Sequence, residues 1–350
     1  MKSNKEYTKY IWNGLAMVMF IALTFAVIYR NNDMALIKST ISGLNIKYII
    51  PAVGCLFLFT FGEALNIRRT LRKVFKYNLS ILQGIKYALV GFFFSSITPS
   101  ATGGQPMQVY YMKRDGIDVG HSSLALLLEL TSFQLVTVAT AVISIAADYE
   151  SLRNLDKTVI YLLCFGAVMN GIMLLFIGCA VFSNNFAVKA VNGIFNFLSK
   201  IGLMKKKNVR DSILREVYSY KKGVIQLKNH RKVIFTTVIT SVVQILCSYS
   251  ITYFVYRAFG FNELSWIKVV SYQSLLFLSV SSLPIPGAVG ISEGVFLMIF
   301  GLIYPAGYLE SAMVISRGIN FYLLLVISAV VVIISTMKKS VKAQMCSIEN

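Results

Sequence analysis

Two interruptions in otherwise apolar stretches hold the residues with the most chemistry to offer. The first reads Ser95-Ser96-Ile97-Thr98-Pro99-Ser100-Ala101-Thr102-Gly103-Gly104-Gln105-Pro106, the second Ser281-Ser282-Leu283-Pro284-Ile285-Pro286-Gly287-Ala288-Val289-Gly290. A helix starting near Gly104, with Pro106 suited to its first turn, aims unsatisfied backbone N–H groups into the protein. Gly103 and Gly104 permit close approach, and a helix N-terminus favours an anion. Ser96, Thr98, Ser100, Thr102 and Gln105 add neutral hydrogen-bonding groups, so the pattern suits a phosphate or phosphodiester. A packing break lined with small residues at a helix crossing is the alternative. At the second break Gly287, Gly290 and Ser292 precede Glu293, which places Ser292 as an N-cap and Glu293 in the first turn. Glu293 equally suits the cationic part of a substrate, or a group that titrates.

Three more ionisable residues fall in or near apolar spans. Glu129 and Arg317 each lie about seven residues inside, roughly 10 Å by helical rise, a depth at which charge is costly and usually paired or functional. Coming from opposite faces of a roughly 30 Å core, they favour a shared polar cavity over a direct salt bridge. Glu63 sits close to the inner end of its span and reads as snorkelling or pairing with Arg68. No catalytic constellation and no metal set is expected. The chain has two histidines, His121 and His230, and its five cysteines form no CxxC pair. It also lacks a GxxxxGK[ST] motif, so neither direct ATP use nor another cofactor is expected.

The elements that must position these groups are membrane helices. Hydrophobic residues make up 56% of the chain and charged residues 14%, about half the charge of a soluble domain. Mean hydropathy is +0.66. The apolar runs are continuous rather than alternating, which excludes a β-barrel. The fold class is an all-α polytopic integral membrane protein with about six full spans, near 11–29, 48–65, 122–147, 159–182, 233–257 and 311–336. Two re-entrant or broken helices, 84–98 and 267–283, bring the total to eight membrane helices if counted as spans. With the N-terminus cytoplasmic and both broken segments returning to their side of origin, 26 Lys and Arg fall inside and seven outside. Both termini are then cytoplasmic. Residues 1–147 and 159–336 repeat one order of elements with opposite polarity, an inverted repeat within a single membrane domain over 1–350. Between them, 183–232 carries twelve basic residues. Its apolar positions Ile213, Leu214, Val217, Tyr220 and Val224 read as a cytoplasmic amphipathic segment on anionic inner-leaflet lipids. The net charge of +19 is read this way too, and nucleic acid is not an expected partner.

The run Thr98 to Pro106, the Tyr110-Tyr111-Met112-Lys113-Arg114-Asp115-Gly116-Ile117 that follows, and Pro284 to Gly294 resemble the lysylphosphatidylglycerol synthase/flippase-like transmembrane family over almost the whole chain. In that family the acidic residue matching Glu129 is often followed by Arg, where this chain has Leu130; Arg317 matches a family arginine. The resemblance implies a flippase- or scramblase-like protein moving an anionic or aminoacylated phospholipid, lysylphosphatidylglycerol-like, or a glycolipid between leaflets. It also implies a bacterial cell-membrane location and a link to cationic-peptide resistance. Full-length members fuse this part to a soluble domain that transfers lysine from lysyl-tRNA to phosphatidylglycerol. The chain resembles the membrane part without that domain. Two alternatives therefore stand beside transport: lysyltransferase activity, and a membrane subunit serving a separately encoded synthase. Proton coupling through Glu129 or Glu293 is a further expectation.

Overall fold

The computed structural model describes residues 40–147, 156–182, 193, 219–305 and 307–348, and among these the regular elements are all helices. In chain order they are α1 (Ile46–Lys73), α2 (Ile81–Ser96), a single 3-10 turn (Pro99–Ala101), α3 (Gly104–Arg114), α4 (Val119–Ala147) and α5 (Lys157–Phe182). Then follow α6 (Arg231–Ala258), α7 (Trp266–Val280), a second 3-10 turn (Pro286–Ala288), α8 (Ile291–Phe300), α9 (Leu309–Arg317) and α10 (Leu324–Ile348). Five helical stretches, 46–73, 119–147, 157–179, 231–258 and 309–337, are long and apolar enough to cross a membrane. The chain is an all-α polytopic membrane protein. The expected span 11–29 and most of 183–232 lie outside the described residues.

Local chemistry sets the helix ends. Asn45 caps α1 by accepting from the Lys47 amide at 3.1 Å, and Arg72 and Lys73 sit at its C-terminus, where cations are favoured. A reciprocal capping box starts α2: the Gln83 amide donates to Ser80 Oγ at 3.2 Å, and the Ser80 amide donates to Gln83 Oε1 at 2.9 Å. Thr98 precedes Pro99 and is extended (φ −117°, ψ 145°), so α2 cannot continue. Inside the apolar helices, hydroxyls donate back to the carbonyl four residues earlier, as at Thr60, Thr131 and Ser132.

Helices α2 and α3 form a hairpin that returns to the side it came from. Lys86 and Tyr87, near the start of α2, both reach Asp115, just past the end of α3; the Tyr87 hydroxyl donates at 2.6 Å. Gly104 lets the arms close, since a Cβ there would lie 2.0 Å from Ser95 Oγ. The α7–α8 pair returns likewise but is clamped by aromatics. Tyr304 after α8 meets Phe261 before α7 at 5.9 Å and Tyr256 at the end of α6 at 5.5 Å. The turns at the tips of the two hairpins touch.

The long helices α1 and α6 share the most extensive interface. Around them Leu56, Leu89, Ile251, Val255, Leu276, Phe296 and Phe300 form the main buried cluster. Phe57, Val142, Ile143, Leu175, Phe235, Val243 and Ile333 are exposed, an outward apolar surface suited to lipid. Two details differ from expectation. A six-residue π-helical segment, Gly318–Leu323, interrupts the last span immediately after Arg317. In the described part of the basic segment, 219–229 is helical and buries Tyr220, Val224 and Leu227 against Val74, Leu124, Leu128 and Ile177. That apolar edge packs against the ends of α1, α4, α5 and α6, which offer it a complementary apolar face, while Lys221 and Lys222 are exposed.

Candidate functional site

Both turns open onto one cavity of about 360 Å³, within the size range of small-molecule sites. Its wall is built by α1, α2, α3, α4, α6, α7, α8 and the Arg317 region. A polar stripe on α6 faces inward: Gln244, Ser248 and Thr252 recur every four residues along an apolar span and all line the cavity. Thr237 and Ser241 continue the stripe toward the α6 N-terminus, where Ser241 accepts from Asn66 of α1 at 3.3 Å.

Two carboxylates share this space. Glu63 of α1 accepts a hydrogen bond from Gln108 of α3 at 2.9 Å. The same Gln108 Nε2 donates to the Tyr87 carbonyl at 3.1 Å, which fixes the amide with its nitrogen toward the acid. Gly91 makes that reach possible, because a Cβ there would sit 2.3 Å from Gln108 Nε2. Glu129 of α4 is buried, lines the same cavity as Gln244, and lies close enough to Glu63 for their charges to interact. Gln244 is 1% exposed, and among the described residues its Oε1 has no hydrogen-bond partner. Arg68, the expected partner of Glu63, instead donates to the Leu79 carbonyl at 3.0 Å, since it lies more than a helical turn away on another face of α1.

The second break neutralises itself. Arg317 Nε donates to Glu293 Oε1 at 2.8 Å, its Nη2 to the Gly287 carbonyl at 3.2 Å, and its guanidinium lies 4.5 Å from the Phe321 ring centre. Glu293 Oε2 reaches back to accept from the Gly290 amide at 2.6 Å. The N-cap of α8 is therefore Gly290, with φ 85°, and not Ser292, which is buried inside the first turn. Ser281 and Ser282, closing α7, are held by Asn170 of α5 at 3.0 and 2.8 Å.

The sequence-derived candidates divide into two groups. Ser96, Ser100, Gln105, Gly287, Ser292, Glu129 and Arg317 line the cavity. Thr98, Thr102, Gly103, Gly104, Gly290 and Glu293 build the turns behind it. Thr98 Oγ1 accepts from the Gly103 amide at 2.9 Å, and Thr102 Oγ1 donates to the Pro99 carbonyl at 2.9 Å. Left-handed backbone at Ser100 (φ 51°), Ala101 (φ 55°) and Ala288 (φ 49°) shows that both turns are strained. Sequence reading missed Glu63, Gln108 and Gln244 as a group, although the polar period of α6 would have exposed Gln244. The histidines lie elsewhere: His121 stacks on Phe75 at 4.3 Å, and His230 hydrogen-bonds to the Gln226 carbonyl.

Comparison with known proteins gives this architecture a family. A UPF0104 membrane protein of Archaeoglobus fulgidus is 23% identical over 337 residues, covering 95% of this chain and 99% of the relative. The UPF0104 membrane protein PH1989 of Pyrococcus horikoshii is 20% identical over 263 residues, covering 73% of this chain and 77% of the relative. The lysylphosphatidylglycerol synthase TM region family matches residues 11–328, and the chain belongs to it.

Proposed function

We propose that the protein moves a phospholipid between leaflets, holding an amine-bearing, aminoacylated head group in the cavity while the acyl chains stay in lipid. The observation that carries this reading is the pair Glu63 and Glu129. They face one cavity among membrane helices, and among the described residues neither is engaged in an ion pair. Arg317 does not offset them, because Glu293 already neutralises it. Uncompensated acids at this depth favour a cationic group and disfavour a purely anionic one. The hydroxyls and amides of Ser96, Ser100, Gln105, Ser248 and Asn320 supply neutral partners for the phosphodiester and glycerol oxygens. Broken helices meeting at a central site are the architecture of proteins that alternate access across a bilayer. A cell-membrane location and contact between 183–232 and anionic lipids belong to the same proposal.

The test is leaflet exchange by the purified chain in phosphatidylcholine vesicles, using acyl-labelled lysylphosphatidylglycerol, phosphatidylethanolamine and phosphatidylglycerol. Exchange above that of empty vesicles, fastest for the amine-bearing lipids, supports the reading. Background rates for all three would overturn it.

A further inference from the structure

The acid pair carries a second consequence, which rests on the lipid reading for its cargo but not for its chemistry. We infer that Glu63 and Glu129 form a proton-exchange site, with one proton held on Glu129 against Gln244, which the amine of the head group displaces. The protein would then run as an exchanger of protons for cationic lipid.

The two glutamines give the pair its asymmetry. Gln108 can only donate to Glu63, because its Nε2 is pinned between Glu63 Oε1 and the Tyr87 carbonyl. A group that only receives donors is best served as a carboxylate. Gln244, which lines the cavity with Glu129, also serves the charged acid as it stands, but unlike Gln108 it has a buried Oε1 that meets no donor among the described residues. An amide with an idle acceptor can rotate to take a hydrogen bond from a protonated carboxyl. An unmet acceptor in that place is costly unless something supplies the hydrogen, and a proton on Glu129 would supply it. Two carboxylates in one poorly solvated cavity hold a single proton more readily than two negative charges.

The surrounding charges do not replace that proton. Of the titratable groups lining the cavity, Arg317 is paired with Glu293, and the Tyr249 phenol lies on the α6 wall. On α1, Arg69 is spent on Asn66, the Thr236 carbonyl and Thr240. On α2, Lys86 and Tyr87 turn to Asp115; on α3, Arg114 turns to the Ser335 carbonyl. On α4, His121 faces Phe75 and Tyr77, and Arg257 of α6 faces Tyr48 and Tyr253. Lys268 of α7 and Tyr161 and Cys164 of α5 do not line the cavity. The exchange balances simply. A proton from water on one side forms the Glu129 O–H bond, and that bond breaks to water on the other side after the amine has taken the acceptors.

Two measurements test this on the full-length purified chain. Infrared difference spectroscopy at neutral pH should show one protonated-carboxyl band, lost in Glu129→Gln and kept in Glu63→Gln. Gln244→Met, which removes the acceptor but neither acid, should shift the band. Absence of the band, or its survival in Glu129→Gln, overturns the inference. In vesicles made one pH unit more acidic inside, acyl-labelled lysylphosphatidylglycerol, whose two amines against one phosphate let it exchange one for one with a proton without moving net charge, should accumulate in the inner leaflet toward about a tenfold ratio. A trapped pH dye should report lumenal alkalinisation in step, and a protonophore should abolish both. Exchange that ignores the gradient overturns the inference and leaves the lipid reading standing. If the lipid does not move at all, the lipid reading falls and the infrared band decides the proton site alone.

Discussion

Removing the positive half of the Arg317–Glu293 pair gives the sharpest test of how the second break is built. Arg317→Met keeps an unbranched stem over Phe321 but deletes the bonds to Glu293 Oε1 and the Gly287 carbonyl. A buried carboxylate stripped of its cation costs about 3–5 kcal/mol. These side chains retain 15% and 10% accessibility, and Glu293 keeps the Gly290 amide at 2.6 Å, so the lower end, about 3 kcal/mol, is expected. Glu293→Gln leaves one acceptor for Gly290 and a guanidinium still bonded to Gly287, so its cost is about 1.5–3 kcal/mol. The double variant removes both charges, and its cost should fall about 2 kcal/mol short of the sum. Reversible unfolding in mixed micelles, followed by far-ultraviolet circular dichroism, measures all three. Single costs that add to within about 0.5 kcal/mol would show that the pair is not a unit, and the self-neutralised break would have to be abandoned.

Other perturbations probe the rest of the site. Gly91→Ala drives its Cβ into Gln108, so lipid exchange should fall with an overpacking cost of about 1–3 kcal/mol; adding Gln108→Ala should restore stability but not exchange, as read by thermal melting beside the vesicle assay. Asp115→Asn weakens the tie to Lys86 and Tyr87, and the loss of hydrogen bonds to a charged acceptor should lower stability by about 1.5–3 kcal/mol in the same unfolding measurement. Cys55 of α1 and Cys247 of α6 are free thiols that approach each other across the α1–α6 interface. Copper-phenanthroline should join them, peptide mass spectrometry should find the bridge, and exchange should stop until a reductant is added.

The helices, their approximate limits and both hairpins could be read from the chain, because apolar length, Pro/Gly breaks and the Lys/Arg bias are local signals. The expected spans 48–65, 122–147, 159–182, 233–257 and 311–336 each lie within, or a few residues beyond, a helical stretch able to cross a membrane. The site was only half legible. Glu129 and Arg317 stood out because charge is rare at depth, whereas Glu63 looked like a residue within reach of water. Its role depends on Gln108 arriving from another helix through the gap left by Gly91, and nothing in the spacing announces that contact. The partner of Arg317 was similarly hidden. Glu293 looked like a cap, and it is one, but a carboxylate has two oxygens, and the second serves the guanidinium. The π-helical segment after Arg317 has no sequence signature that this chain reveals.

Between its own two arms the α2–α3 hairpin is tied most firmly at the base, while Phe93 and Ile97 near its tip rest on Leu325 and Ala329 of α10, and this bears on how the protein could move. Its feet are fastened by Asp115 and by the Gln108 amide on the Tyr87 carbonyl, while across the tip Ser95 Oγ reaches the Ala101 carbonyl at 3.4 Å. An arm of 16 residues is about 24 Å long. A small tilt at so tight a base sweeps the far end through several ångströms, like an oar in its rowlock. Glu63 sits beside that fulcrum through Gln108, so a change of charge there would be felt most strongly at the opposite end, where the two tips meet.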